Sequence, residues 1–146
     1  MPSGKPDEVG RVSVDVEVAN GGDLILVRHG RMQPDQVRRE TIRGVVNPRL
    51  MKLVLPEAVV KRLGLPPGDL APVRYADGRR GRLPLVHGVF VRLLGRDGTY
   101  TAISDPDRDT ALIGAIVLGD LDLVVDDTGQ RLVPRDPSGP IYEIGW

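Results

Sequence analysis

The feature of this sequence that most constrains its fold is the spacing of glycine and proline. It limits the chain to short helices and strands. Eighteen glycines and thirteen prolines recur at short intervals along 146 residues, which leaves little room for long helices. Between these breaks, Val12, Val14, Val16 and Val18 alternate with polar residues. A period of two predicts a half-buried strand over 11–18. The expected fold class is therefore mostly β, with one or two short helices.

Composition narrows the classes of function. The chain is 40% apolar, enough for one core at this length. Twenty basic residues balance twenty acidic ones, so we expect no nucleic-acid partner and no membrane surface. Cysteine is absent and neither a signal peptide nor a spanning segment is evident, which favours a cytoplasmic location. Two histidines without a carboxylate cluster predict no metal and no cofactor.

Apolar runs and turn residues predict the remaining elements. Asn20-Gly21-Gly22 is typical of a turn and precedes an apolar run at 23–28. Helices are expected at 34–40, 56–63 and 115–121. Single strands are expected at 41–46, 53–55 and 111–114. Three pairs of strands are expected: 73–75 with 81–85, 89–94 with 99–103 through a turn at 95–98, and 123–125 with 131–133.

One ordered set of segments resembles a known family. The strand 42–46 leads into Asn47-Pro48-Arg49-Leu50, and Leu112-Ile113-Gly114 precedes a short helix and a further strand. This order is similar to that of the bacterial, single-domain, retropepsin-like aspartic proteases, in which the first strand ends in Asp-Thr-Gly-Ala. The resemblance covers about residues 10–135. It implies a closed retropepsin-like acid-protease barrel.

The resemblance also implies that the catalytic motif is degenerate. In the family, each subunit of a homodimer contributes one aspartate, and the two carboxylates share a proton. Asn47 has no usable proton-transfer pKa, Pro48 lacks the hydroxyl, and Arg49 replaces the glycine. No catalytic residue is therefore expected. The implied flap and substrate-binding residues are Ala76, Asp77, Gly78 and Arg79.

We expect the chain to consist of three parts. Residues 1–9 form a flexible N-terminal segment, 10–135 the retropepsin-like β domain, and 136–146 a tail. The tail contains four large apolar residues, which we expect to pack on the domain or on a partner: Ile141, Tyr142, Ile144 and Trp146.

Two other motifs have simpler interpretations. Asp127-Thr128-Gly129 matches the catalytic triplet literally, but only seventeen residues follow it, and its setting favours a hairpin turn. Arg28-His29-Gly30, with His87 further along, resembles the histidine phosphatases. That fold needs a doubly wound α/β domain, whereas strand-like sequence separates the two histidines. We therefore interpret both histidines as ordinary surface or rim residues.

The favoured function is a catalytically inactive, aspartic-protease-like domain that binds peptides or proteins, as a homodimer. One alternative is an active aspartic endopeptidase that uses a non-standard carboxylate, Asp126 or Asp127. Another is a structural dimerisation module whose tail binds a partner. The basic residues Arg79, Arg80 and Arg82 either recognise an acidic peptide or form a solvated hairpin face.

Overall fold

The computed structural model describes residues 12–126, 128 and 130–145. The predicted N-terminal segment 1–9 lies outside these residues, as does Arg11 of the first predicted strand. Within the described part, no helix is long and apolar enough to cross a bilayer. The strands are β1 Val12–Asn20, β2 Arg39–Val46, β3 Leu53–Pro56, β4 Leu70–Arg74, β5 Arg80–Leu93, β6 Arg96–Asp105, β7 Ala111–Ile113, β8 Leu123–Asp126 and β9 Arg131–Pro134. The α-helices are α1 Gly21–Arg28, α2 Glu57–Arg62 and α3 Ala115–Leu121, and Pro34–Gln36 forms a single 3-10 turn.

Six strands form a closed barrel. They pair in the order β1-β2-β7-β3-β6-β5, and β5 returns to pair with β1 through the last four residues of β1. Strand β4 pairs with β5 and extends the sheet beyond the barrel, while β8 and β9 form a separate two-stranded ladder. Closure removes the open edges from the barrel strands. The predicted mostly β class and closed barrel are confirmed.

The alternation in the first strand places its valines in the core. Val16 and Val18 are fully buried, whereas Val14 packs against the core only partly. Each fully buried branched side chain of this size contributes about 1.5–3 kcal/mol relative to exposure. The rest of the barrel contributes equally buried side chains, among them Leu53, Leu55, Val89, Val91 and Ile113.

Strand β7 lies between β2 and β3, although β2 and β3 are neighbours in the sequence. Leu112 is paired with Val45 of β2 in parallel and with Val54 of β3 in antiparallel fashion. The segment that joins β2 to β3 must therefore pass over the end of β7. This topology brings Asn47, which follows β2 directly, next to the Ile113-Gly114 pair.

The β5–β6 hairpin has a tighter turn than predicted. The predicted turn at 95–98 is wrong, because Leu93 pairs with Arg96 and the turn contains only Leu94 and Gly95. Both have positive φ, 51° and 77°, which the favoured two-residue hairpin turns require. Leucine is uncommon in that conformation, so the local signal for this turn is weak. Strand β5 also runs continuously past a bulge at Gly88, where the sequence predicts a break.

Of the three predicted helices, two are present and one is not, and one predicted turn is instead the start of a helix. Helices α2 and α3 confirm the predictions for 56–63 and 115–121. The turn predicted at 20–22 is instead the start of α1, where the Asn20 side chain accepts a hydrogen bond from the Asp23 N–H at 3.1 Å. The helix predicted at 34–40 is only the 3-10 turn, because the Arg38 N–H donates to the Asp23 carboxylate at 3.0 Å and β2 begins one residue later.

A buried carboxylate joins α1 to the segments around it. Asp23 is 2% exposed and accepts hydrogen bonds from Nε and Nη2 of Arg38, both at 2.9 Å. Asn20 Nδ2 donates to the Leu63 carbonyl at 2.8 Å, which ties the start of α1 to the end of α2. Arg38 crosses Gly64, where φ is +69° and an added Cβ would lie 1.8 Å from the guanidinium. The hydrogen bonds with Arg38 hold the pKa of Asp23 below its usual value.

We predict that Asp23→Asn lowers the free energy of unfolding at pH 7 by about 1–3 kcal/mol, since Arg38 loses charge-assisted hydrogen bonds. The pKa of Asp23 is lower in the folded than in the unfolded protein. The Asp23 carboxylate therefore contributes fully to the free energy of unfolding above its unfolded pKa of about 3.9, and this contribution is lost as pH falls through the folded pKa. The difference between the two proteins should therefore shrink in acid. Urea unfolding at several pH values measures this difference. Asp15→Asn, in an exposed pair with Arg43, is the control and should change stability little; equal losses in both variants would contradict the prediction.

Candidate functional site

The segment after β2 is a capped β-turn. The Asn47 N–H donates to the Ile113 carbonyl at 3.0 Å, and the Leu50 N–H donates to the Asn47 carbonyl at 3.2 Å. The Asn47 side-chain oxygen accepts a hydrogen bond from the Arg49 N–H at 3.1 Å. Pro48 occupies the second turn position, which its fixed φ suits. The side-chain oxygen of Asn47 thus stabilises its own loop, residues 47–52 between β2 and β3, which we call the Asn47 loop.

The other side of this loop is held by Gly114 and the start of α3. The Ala115 N–H donates to the Leu50 carbonyl at 2.6 Å, and the Ile116 N–H donates to the Met51 carbonyl at 3.1 Å. A Cβ added to Gly114 would lie 2.7 Å from backbone atoms of all three residues 50–52. A glycine is needed here because the two backbones touch. The predicted motif at 112–114 therefore lies directly beside the Asn47 loop.

The tip of the β4–β5 hairpin is a turn over residues 75–79. The Tyr75 N–H donates to the Arg79 carbonyl at 2.9 Å, and Gly78 has φ +89°. The Asp77 carboxylate accepts hydrogen bonds from N and Nε of Arg79, at 2.9 and 2.7 Å, and the guanidinium lies 4.8 Å from the centre of the Tyr75 ring. The backbone hydrogen bond, reinforced by the side chain, lowers the pKa of Asp77. The predicted turn at Ala76 is present, and its role as a flap stays a prediction.

In the described part of the chain, no hydrogen bond or ion pair joins the Asn47 loop to this hairpin tip. The structure instead shows two surface depressions that sequence reasoning missed. One, of about 430 Å³, is lined by Pro48, Ala115, Leu118, Gly119, Leu123, Val124 and Val125. The other, of about 290 Å³, lies on the hairpin and is lined by Pro72, Val73, Arg74 and Arg80. The first joins Pro48 to residues 115–125, which are distant in the sequence. The second lies within one hairpin, where the pairing of β4 with β5 places Arg80 beside Arg74, so neither has a signal in a short window of sequence.

Large apolar side chains are exposed around the Asn47 loop. Met51 is 61% exposed, Leu50 44% and Ile116 41%. The hydrogen bond from Ile116 to Met51 places the two residues side by side. Contiguous exposed apolar residues are typical of interaction sites. Sequence reasoning missed them because Leu50 and Met51 lead directly into the buried residues of β3.

The other candidate motifs do not assemble a site. His29 ends α1 on the surface, and His87 lies at the β5 bulge with Nδ1 3.1 Å from the Thr101 hydroxyl. Among the described residues, no group of three or more His, Cys, Asp or Glu is placed to hold a metal ion. Asp127 and Gly129 lie outside the described residues, whereas Thr128 donates its hydroxyl hydrogen to Asp126 at 2.8 Å. Strands β8 and β9 pair on either side of this segment, as predicted.

A polar cluster anchors the start of the tail. The buried Arg96 donates to the carbonyls of Leu121, Asp122 and Asp136. Asp122 accepts two hydrogen bonds from Arg135, at 2.6 and 3.0 Å, and a third from the Ile141 N–H at 3.1 Å. Beyond this point, Tyr142 is 61% and Ile144 96% exposed, so the predicted packing of these side chains on their own domain is not found. Their docking on a partner stays a prediction, and Trp146 lies outside the described residues.

Comparison with known proteins identifies the class of fold. No protein-family model and no curated protein matches the chain. Among solved structures, the EIAV protease complexed with the inhibitor HBY-793 superposes with a TM-score of 0.52 at 13% identity, covering 75% of this chain and 86% of that one. The retroviral protease-like domain of Ddi1 from Leishmania major gives a TM-score of 0.51 at 14% identity, covering 86% and 90%.

The fold of this chain is therefore retropepsin-like, as the sequence predicted. At these identities the likeness extends to the fold alone. The roles of Asn47, Pro48 and Arg49, and of the hairpin tip, rest on the sequence resemblance together with the geometry of the two loops.

We predict that Gly114→Ala destabilises the protein by about 1–3 kcal/mol, because the added methyl group overlaps the backbone of residues 50–52. The φ of Gly114 is −97°, which alanine adopts freely, so the effect isolates the close contact. Gly119→Ala is the matched control: nothing lies within 4 Å of its added Cβ, and alanine favours the interior of α3. Urea unfolding should show opposite signs for the two variants. Equal stability of Gly114→Ala and the native protein would contradict the tight contact.

Proposed function

We propose that this chain is a retropepsin-like domain without peptidase activity that binds extended peptide or protein segments as a homodimer. One observation carries the proposal. Asn47 stands at the end of β2 beside Ile113, where the resemblance implies the catalytic aspartate, and its side-chain oxygen accepts a hydrogen bond within its own loop. The fold supplies the scaffold, while the residue that would perform the chemistry is a carboxamide.

The chemistry of the aspartic proteases needs two carboxylates that share one proton, one acting as base toward water and the other as acid. A carboxamide donates and accepts hydrogen bonds but transfers no proton at accessible pH. Because a symmetric dimer repeats each substitution, both groups are lost together. Pro48 removes the hydroxyl and a backbone donor, and Arg49 adds a long cation where the family has glycine.

Binding of an extended segment needs no catalytic residue. Strand β4 is the terminal strand of its sheet and leaves one edge free for pairing. A peptide that adds to such an edge is held by backbone hydrogen bonds, and alternate side chains then contact the sheet face. Pro72 interrupts the donors of β4. A ladder that a peptide forms on this edge is therefore short.

The apolar residues around the Asn47 loop support self-association. The resemblance implies that this loop lies at the dimer axis, and Leu50, Met51 and Ile116 are exposed there in the single chain. Burial of such residues against a second copy would remove apolar surface from water. The alternative of a structural dimerisation module shares this interface and differs in needing no peptide.

We predict that Met51→Glu shifts the protein toward monomer, since a buried, unpaired carboxylate at an apolar interface is unfavourable. Sedimentation over a range of protein concentrations measures the dimer dissociation constant. Ile25→Glu is the control, because Ile25 is similarly exposed, at 53% against 61%, but lies on α1. A native protein that stays monomeric, or equal weakening by both substitutions, would rule out an interface at the loop.

We predict that the native chain does not cleave an unfolded peptide library between about pH 3 and pH 8, the range in which carboxylate pairs function. The variant Asn47→Asp, Pro48→Thr, Arg49→Gly should gain cleavage that peaks in acid. Mass spectrometry of the products measures both, and the control is the triple variant Asn47→Ala, Pro48→Thr, Arg49→Gly, which restores the loop without a carboxylate. Cleavage by the native chain would contradict the proposal, and its loss in Asp126→Asn or Asp127→Asn would identify the carboxylate responsible.

A further inference from the structure

The hairpin formed by β4 and β5 carries three arginines on one face. Arg74 is paired with Arg80 across the two strands, and Arg82 follows on the same face, opposite Pro72. All three are exposed. Side chains alternate along a strand, so Arg80 and Arg82 project from the face of β5 that carries the buried Val86 where the strand enters the barrel.

The three arginines concentrate positive charge on one face of the hairpin. Like charges directly opposite each other on two strands are unfavourable. Within the described part of the chain, Arg74, Arg80 and Arg82 have no ion-pair partner, whereas Arg79 on the tip is paired with Asp77. Other arginines of the chain are also paired with carboxylates, among them Arg38, Arg39, Arg43 and Arg62. The hairpin face is therefore a concentrated positive patch on a chain whose formal net charge is zero.

The patch also has a concave surface. The depression of about 290 Å³ is bordered by Arg74 and Arg80, with Pro72 and Val73 forming the rest of its lining. A guanidinium group presents a planar fork of donors that matches a carboxylate. A carboxylate placed between Arg74 and Arg80 would offset their mutual repulsion by attraction to both.

We propose that this basic face selects acidic side chains of an extended peptide. The inference rests on the proposed function of peptide binding and specifies its ligand. Residues two apart on a strand lie about 7 Å from each other, so Arg80 and Arg82 match carboxylates at alternate positions of an extended chain. A nucleic acid fits less well, because single strands are held by aromatic stacking, and Tyr75 is already covered by Arg79 at the tip.

Fluorescence anisotropy tests the proposal with three labelled ten-residue peptides of equal length. One has glutamate at alternate positions, the second has glutamine there, and the third has lysine. The glutamate peptide should bind at least about threefold tighter than the glutamine peptide, and the lysine peptide should bind most weakly. The advantage should diminish as salt is raised, because exposed charges are screened.

Variants locate the effect on the hairpin. The double variant Arg80→Gln, Arg82→Gln should weaken binding of the glutamate peptide about three- to tenfold and leave the glutamine peptide unchanged. The matched control is Arg28→Gln, Arg31→Gln, which removes the same charge at the end of α1 and should leave both affinities unchanged. Circular dichroism and urea unfolding verify that each variant is folded.

Each contrary outcome is distinct. Equal affinity for the glutamate and glutamine peptides would overturn the acidic preference while peptide binding itself stands. Equal weakening by the hairpin and control variants would mean that net charge, and not this face, attracts the ligand. Tighter binding of a ten-residue oligouridylate than of the glutamate peptide would replace the peptide with RNA. Failure to bind any of the three peptides would overturn the proposed function together with this inference.

Discussion

The close contact between Gly114 and the backbone of residues 50–52 determines the geometry of the whole site. Strand β7 is inserted between β2 and β3, so the segment joining those strands must pass over its end. The passage is so close that a Cβ at position 114 would lie 2.7 Å from backbone atoms of the loop, which favours glycine there. Three backbone hydrogen bonds, from Asn47, Ala115 and Ile116, then fix the loop against β7 and α3. The barrel, the loop and the exposed apolar residues around it share this one constraint.

The sequence predicted elements whose signals are local and failed where contacts between distant segments decide. The alternating valines of β1 and the terminal glycine of α2 are local patterns, and both predictions were correct. Helix 34–40 failed because the Arg38 N–H is taken by Asp23, fifteen residues earlier in the chain. The Leu94-Gly95 turn failed because leucine at positive φ is imposed by the pairing of β5 with β6, which no short window of sequence contains.

The same distinction holds at the candidate site. Asn47, Pro48, Arg49 and the hairpin tip are indicated by the sequence because each group is contiguous, and their roles stay predictions. Arg79, Arg80 and Arg82 form one basic stretch in the sequence. In the structure, Arg79 is paired with Asp77 at the hairpin tip, whereas Arg80 and Arg82 lie on one face of β5 because side chains alternate along a strand. Arg74 was missed because only the pairing of β4 with β5 places it opposite Arg80. A charge pattern in sequence therefore predicts the composition of a surface, while the register decides which charges act together.

The hydrogen bonds of the Asn47 loop show how far its shape depends on the residue at position 47. Asn-Pro is a favourable start for a β-turn, and the Asn47 side chain supplies the acceptor for the Arg49 N–H. An aspartate supplies the same acceptor, so the loop does not distinguish a carboxylate from a carboxamide by its hydrogen bonds. What differs is the chemistry of the side chain, because a carboxylate titrates and transfers a proton whereas a carboxamide does neither at accessible pH. The hydrogen bonds that shape the loop are therefore compatible with either residue, and the side chain at position 47 alone sets the chemistry available at the end of β2.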